Sequence, residues 1–210
     1  MDADPITAQL EIARIIPVTE AEGPGRRFAV WFQGCPLRCP GCCNPEMLPF
    51  ENGQRRCVTD IIAELDEAIP SGIEGITLLG GEPFAQPAAA ATLLRAVHER
   101  GLTTMVFTGF TIEELNKTSE ASTAALLRET DILVDGPYLR DLPEPRRRWI
   151  GSANQRVHFL SDRCNAADPR WLLPNTLELR LSNRELTVNG FPAQGAVGLW
   201  KRPRVRNASN

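Results

Sequence analysis

Cys35, Cys39 and Cys42 stand with three and then two residues between them, in the stretch Gln33-Gly34-Cys35-Pro36-Leu37-Arg38-Cys39-Pro40-Gly41-Cys42-Cys43-Asn44-Pro45-Glu46. Gly34, Pro36, Pro40 and Gly41 disfavour a helix, so a tight loop is expected there. Such a loop can turn several thiolates toward one point, which suits an iron–sulfur cluster or a metal ion. Zinc sites commonly draw on two separated ligand pairs, whereas here one loop supplies three cysteines and no second pair exists. Cys43 follows Cys42 directly, and adjacent side chains tend to point apart. The spacing therefore favours a cluster, and structural zinc with Cys43, Cys57 or Cys164 as fourth ligand is the alternative. A four-iron cluster on three thiolates keeps one iron without a protein ligand, and an open iron is a place for chemistry.

The next signal is Gly80-Gly81-Glu82-Pro83. Two residues without a β-carbon let a ligand approach the backbone, exposing carbonyls and one carboxylate to a cationic group such as an α-amino group. The plain alternative is a strand-to-helix turn. Thr108-Gly109 and Asp135 are weaker signals of the same kind, since each could simply end a strand or cap a helix. Arg146-Arg147-Arg148 reads as a solvated loop before it reads as an anion site. His98 and His158 fall in regular elements as ordinary core or surface histidines, and Cys57 and Cys164 as isolated small residues.

The elements that position these groups alternate. Strands are expected at Leu10–Val18, Phe28–Phe32, Gly75–Leu79, Thr103–Phe107, Ile132–Val134 and Val157–Leu160. Helices are expected at Val58–Ile69 with Thr59 as N-cap, at Pro87–Arg100, after the capping box at Thr111-Ile112-Glu113-Glu114, and at Ala121–Arg128. Strand–helix alternation predicts parallel strands with helical crossovers. The cysteine loop, Gly80-Gly81-Glu82, Thr108-Gly109 and Asp135 all follow strands, at the carboxyl-end rim where α/β folds bind ligands. A complete eight-stranded barrel takes about 250 residues, so a chain of 210 residues predicts a partial, open barrel. Thr176–Leu181 and Glu185–Val188 read as a β-hairpin, followed by a basic tail at Lys201–Arg206. The domain reading is a partial barrel over 1–165 with its cluster loop at 34–46, and a hairpin and tail over 166–210 belonging to the same domain.

A net charge of −3 offers no argument for nucleic acid or membrane binding. No apolar run approaches the ~20 residues of a membrane span, and the acidic start (Met1-Asp2-Ala3-Asp4) is no signal peptide. A cytoplasmic location is expected, where clustered cysteines mean metal or redox work.

Together these motifs resemble the radical S-adenosylmethionine superfamily, and most closely its glycyl-radical activating enzymes, including the activators of anaerobic ribonucleotide reductase. The carriers are Gly23-Pro24-Gly25, the cysteine motif, Asn44-Pro45-Glu46, Gly80-Gly81-Glu82-Pro83, Phe107-Thr108-Gly109-Phe110, Leu133-Val134-Asp135-Gly136-Pro137-Tyr138 and Gly151-Ser152-Ala153-Asn154-Gln155-Arg156, covering Leu10 to Arg156. The resemblance implies an α/β partial (β/α)6-type open barrel, here with a C-terminal β-hairpin extension. It implies that Cys35, Cys39 and Cys42 hold a 4Fe-4S cluster and that S-adenosylmethionine chelates its open iron. Gly80, Gly81 and Glu82 would receive the amino group, and the backbone around Gly41–Cys43 would lie near the adenine. Thr108, Gly109 and Asp135 share that rim and are counted with the cofactor contacts.

The implied reaction is reductive cleavage of S-adenosylmethionine to a 5′-deoxyadenosyl radical. That radical takes a hydrogen atom from a glycine of a large glycyl-radical enzyme partner, with flavodoxin or ferredoxin as reductant. A stand-alone radical enzyme acting on a small molecule or peptide is the second reading, and a non-catalytic electron-transfer protein the third. Three features depart from the pattern: no aromatic residue flanks Cys42, the hairpin and basic tail after about residue 165 extend beyond the smallest activating enzymes, and no lysine follows the fourth strand to hold the S-adenosylmethionine carboxylate.

Overall fold

The computed structural model describes residues 8–182 and 185–190. Seven strands form one sheet: β1 (Gln9–Thr19), β2 (Arg27–Phe32), β3 (Gln54–Cys57), β4 (Gly75–Gly80), β5 (Thr103–Phe107), β6 (Ile132–Asp135) and β7 (Arg156–Phe159), in the spatial order β3-β1-β2-β4-β5-β6-β7. β2, β4, β5 and β6 run parallel. β1, β3 and β7 are antiparallel to their neighbours. Helices α1 (Val58–Ala68), α2 (Pro87–Glu99), α3 (Ile112–Lys117) and α4 (Ala121–Arg128) make the crossovers between the parallel strands.

The six strand–helix units expected from the sequence reduce here to a four-stranded parallel core in a mixed sheet. The flanking positions go to antiparallel β1 and β7, whose connections to β2 and β6 need no helical crossover.

Alternation along the strands sorts the core into two faces. Phe28, Val30, Ile76, Leu78, Val106 and Leu133 pack against all four helices, through Ile61 and Leu65 of α1, Leu93, Leu94 and Val97 of α2, Leu115 of α3 and Leu126 of α4. The opposite face carries Ala29, Trp31 and Leu79 packed with Met47, and beside them Met105, Ile132 and Val134 packed with Ile150. Both faces are covered, so β2 and β6 are buried along their whole length. Thr111 and Glu114 form the expected capping box at α3. At α1 the N-cap is Cys57, without a side-chain cap bond, and Thr59 lies inside the helix.

The C-terminal segment covers the second face from below. Trp171 meets Trp149 edge-on at 4.9 Å and Phe159 at 5.6 Å. Arg148 is buried, contrary to the expectation of a solvated arginine loop; its guanidinium donates to the Arg170 carbonyl and the Thr176 hydroxyl. β8 (Leu177–Ser182) and β9 (Glu185–Gly190) form the expected hairpin as a separate two-stranded sheet. Its polar side chains face the body. Glu178 accepts from the Thr19 hydroxyl (2.9 Å) and the Glu20 N–H (2.7 Å), and Gly190 N–H donates to Glu22 (2.8 Å). Leu179, Leu181 and Leu186 point outward. The basic tail at 201–206 and the acidic start at 1–4 lie outside the described residues. Among the described residues, no helix is long and apolar enough to cross a membrane.

Candidate functional site

The cysteine loop leaves the carboxyl end of β2 and is fastened at both ends. Gly34 N–H donates to the Met47 carbonyl (2.9 Å) and Cys35 N–H to that of Leu48 (3.1 Å). The Gln33 amide donates to the carbonyls of Glu46 and Pro49. Arg38 and Gly41 both take positive φ, 49° and 73°, which bends the chain around its own thiols. Amide hydrogens are then aimed at sulfur: those of Leu37 and Arg38 at Cys35, and that of Asn44 at Cys42 (3.4 Å).

Cys35, Cys39 and Cys42 line one cavity of about 160 Å³ at the rim. Burial pushes the Cys35 and Cys42 thiols up, and the amide donors oppose that shift. Thiols so placed ionise when a metal centre supplies the compensating charge. Among the described residues, no three His, Cys, Asp or Glu side chains converge tightly enough to share one metal ion. The three thiols come from one loop into one cavity, and a set of soft thiolates from a single loop fits an iron–sulfur cluster. Cys57 caps α1 and Cys164 packs under β5 and β6, both away from the cavity.

Gly80, Gly81 and Glu82 form the facing wall. Their glycines answer to packing. A β-carbon on Gly80 (φ 100°) would meet the Phe32 backbone at 2.7 Å, and one on Gly81 would meet the Gly34 carbonyl oxygen at 2.4 Å. Glu82 is 1% exposed, and its carboxylate accepts from Phe84 N–H (2.9 Å), the Thr108 hydroxyl (3.0 Å) and Gly109 N–H (2.9 Å). All three donors are neutral, so burial prevails and pushes the carboxyl up to about 7. Thr108 and Gly109 thus line the cavity and hold Glu82 in it.

Two expected contacts stand elsewhere. Gly41 does not line the cavity; the place of its missing β-carbon lies 2.7 Å from the Arg140 side chain. Asp135 is fully buried behind the rim, where it accepts from Ile112 N–H (2.8 Å) and Arg156 Nε (3.1 Å), with His158 Nε2 at 3.2 Å. Burial alone would raise its pKa, but the Arg156, Ile112 and His158 hydrogen bonds outweigh that and hold it low. It fastens β6 to α3 and β7. His98 is likewise engaged, between Glu129 and Asp131 at 3.1 Å each.

The sequence reading assigned no role to Tyr138 or Gln155, and both line the cavity. Tyr138 hydrogen-bonds the Cys43 thiol, and burial followed by the nearby Cys43 pushes its hydroxyl up to about 12. Gln155 accepts from Gly151 N–H (3.0 Å) and donates to the Gly136 carbonyl (3.0 Å), stapling the 151–155 loop to the end of β6. The available signals were the chain's single tyrosine and the Gly151–Gln155 run. Leu48, Leu79 and Phe107 complete an apolar lining.

The family model described as "4Fe-4S single cluster domain" matches residues 21–158. The anaerobic ribonucleoside-triphosphate reductase-activating protein of Salmonella typhi is 33% identical over 151 residues, covering 69% of this chain and 95% of that protein. Its counterpart in Escherichia coli K12 is 33% identical over 152 residues, with the same two coverages. That of Enterobacteria phage T4 is 29% identical over 153 residues, covering 71% of this chain and 94% of that protein.

Proposed function

Given that this chain belongs to the 4Fe-4S single cluster domain family and to the anaerobic ribonucleoside-triphosphate reductase-activating proteins, we propose that it is a radical S-adenosylmethionine enzyme that activates a large glycyl-radical enzyme. When bound, the 4Fe-4S cluster and S-adenosylmethionine supply reductive C–S cleavage and a 5′-deoxyadenosyl radical that takes a hydrogen atom from the partner's glycine. The protein's part is to hold, orient and keep dry.

Cys35, Cys39 and Cys42 hold the cluster, and the amides of Leu37, Arg38 and Asn44 stabilise their thiolates. Across the cavity, the Gly80 and Gly81 backbone and the Glu82 carboxylate receive the methionine ammonium. A buried carboxylate with only neutral donors gains most from such a cation. Cys43 and Tyr138 form the wall near the adenine, a role that passes from Gly41 to Tyr138 because Tyr138 lines the cavity. Leu48, Leu79 and Phe107 exclude water. Asp135 serves as a positioning residue behind the rim.

One observation carries this reading: three thiols and one buried carboxylate face each other across a single cavity at the ends of the parallel strands. The test is anaerobic reconstitution with iron and sulfide, then dithionite and S-adenosylmethionine. 5′-Deoxyadenosine and methionine should form in equal amounts. With a glycyl-radical enzyme added, and flavodoxin or ferredoxin in place of dithionite, a glycyl radical signal should appear in electron paramagnetic resonance. An assembled cluster that yields no 5′-deoxyadenosine would leave only an electron relay.

A further inference from the structure

Arg14 lies on β1 opposite Trp31 of β2, with its guanidinium over the Trp31 ring at 4.2 Å from the centroid. Trp31 packs with Leu79 and Phe107, and both of these line the cavity. Arg14 is therefore on the face of the sheet that carries the site. It is half-buried and makes no side-chain hydrogen bond or ion pair with any described residue, and its Nε is enclosed without an acceptor. Arg27, buried on the same face, is the contrast: its guanidinium is used up on Thr77, Thr103 and the Ile76 carbonyl. Two carboxylates, Glu22 and Glu46, act on Arg14 only from a distance.

A guanidinium seated over an aromatic ring, with no acceptor among the described residues, is suited to a planar bidentate anion. We infer that Arg14 is the receptor for a carboxylate on the polypeptide segment that delivers the glycine. The inference rests on the proposed function and adds a recognition element to it. The carboxylate of S-adenosylmethionine is the competing ligand, and the lining of the cavity argues against it. Neither Arg14 nor Trp31 lines the cavity, and no residue of β1 does. An entering peptide reaches the open face beside the cavity; a chelate held inside it does not.

The test uses the reconstituted holoprotein with S-adenosylmethionine and no reductant, so that binding is read without turnover. Three acetylated peptides with a central glycine are titrated calorimetrically: Ala-Ser-Ala-Gly-Ala-Ser-Glu with an amidated end, the same with Gln for Glu, and the Gln peptide with a free carboxyl end. One or both carboxylate peptides should bind about ten-fold tighter than the neutral one at low salt, less so at high salt. Whichever of the two does so tells a side-chain carboxylate from a terminal one. Arg14→Met should reduce the preference to less than about two-fold, and Arg14→Lys should keep part of it. Equal binding of all three peptides by the unaltered protein, or a full preference in Arg14→Met, overturns the inference. Thermal melting of both variants separates lost recognition from lost folding. Dithionite added to the unaltered holoprotein tests the proposed function separately, through 5′-deoxyadenosine.

Discussion

Gly81 lies against Gly34 so closely that a β-carbon on Gly81 would stand 2.4 Å from the Gly34 carbonyl oxygen. The same oxygen accepts the Glu82 N–H at 2.9 Å. The turn after β4 and the cysteine loop after β2 are thus one packed unit, and the carboxylate cannot move independently of the thiols. Gly81→Ala should therefore cost about 1–3 kcal/mol by overpacking. It should also lower cluster occupancy, although position 81 supplies no ligand. Denaturant melts and iron analysis check both, and normal iron content in a destabilised protein would uncouple the two loops.

Replacing Cys35, Cys39 or Cys42 by Ala should abolish the cluster. Cys43→Ala, Cys57→Ala and Cys164→Ala should leave iron and sulfide content unchanged. Cys43 is the discriminating case, because its thiol lines the cavity yet is directed to Tyr138. Loss of iron from Cys43→Ala would give the cluster a fourth protein ligand and leave S-adenosylmethionine no iron to chelate.

Glu82 and Glu22 are both buried carboxyls pushed up to about 7, from an ordinary value of 4.5. A group that holds its proton more tightly when folded stabilises fully below its unfolded pKa, and that contribution is lost as pH rises through the folded value. The metal-free protein should therefore become less stable between about pH 4.5 and about 7, by on the order of 3 kcal/mol for each carboxyl. Glu22→Gln should flatten the slope. Melting temperatures that climb across this window would contradict the assignment.

Asp135→Asn should lower thermal stability, because it weakens the bonds to Arg156 and the α3 amide. The folded protein should keep its affinity for S-adenosylmethionine, since Asp135 does not line the cavity. Thr108→Val should do the reverse, loosening Glu82 at modest cost to the fold. Equal affinity losses in the two variants would return Asp135 to the cofactor.

The cysteine loop, the Gly-Gly-Glu turn and the parallel core were legible because each rests on local signals: spacing, glycine, and buried β-branched runs. β3 was not, because Gln54-Arg55-Arg56-Cys57 has no alternation and becomes a strand only by pairing with β1. Nor does spacing tell a carboxylate that lines a cavity from one that fastens the wall behind it. Glu82 and Asp135 both follow buried strands, and only the long-range partners, Thr108 for one and Arg156 for the other, assign their roles. Tyr138 was missed for the same reason: its contact with Cys43 crosses the whole rim.

The hairpin sits beyond residue 158, where the family match ends, yet it is sewn into the body by Glu178, Asn189 and the Gly190 amide. Glu22, in turn, accepts from that amide at 2.8 Å and from the Asn189 amide at 3.5 Å. Trimming the chain to the length of its relatives would take from Glu22 both its donors and its cover, and would strip Trp149 of Trp171. The added piece is therefore a keystone, and any change that lifts it should be felt at the opposite end of the sheet.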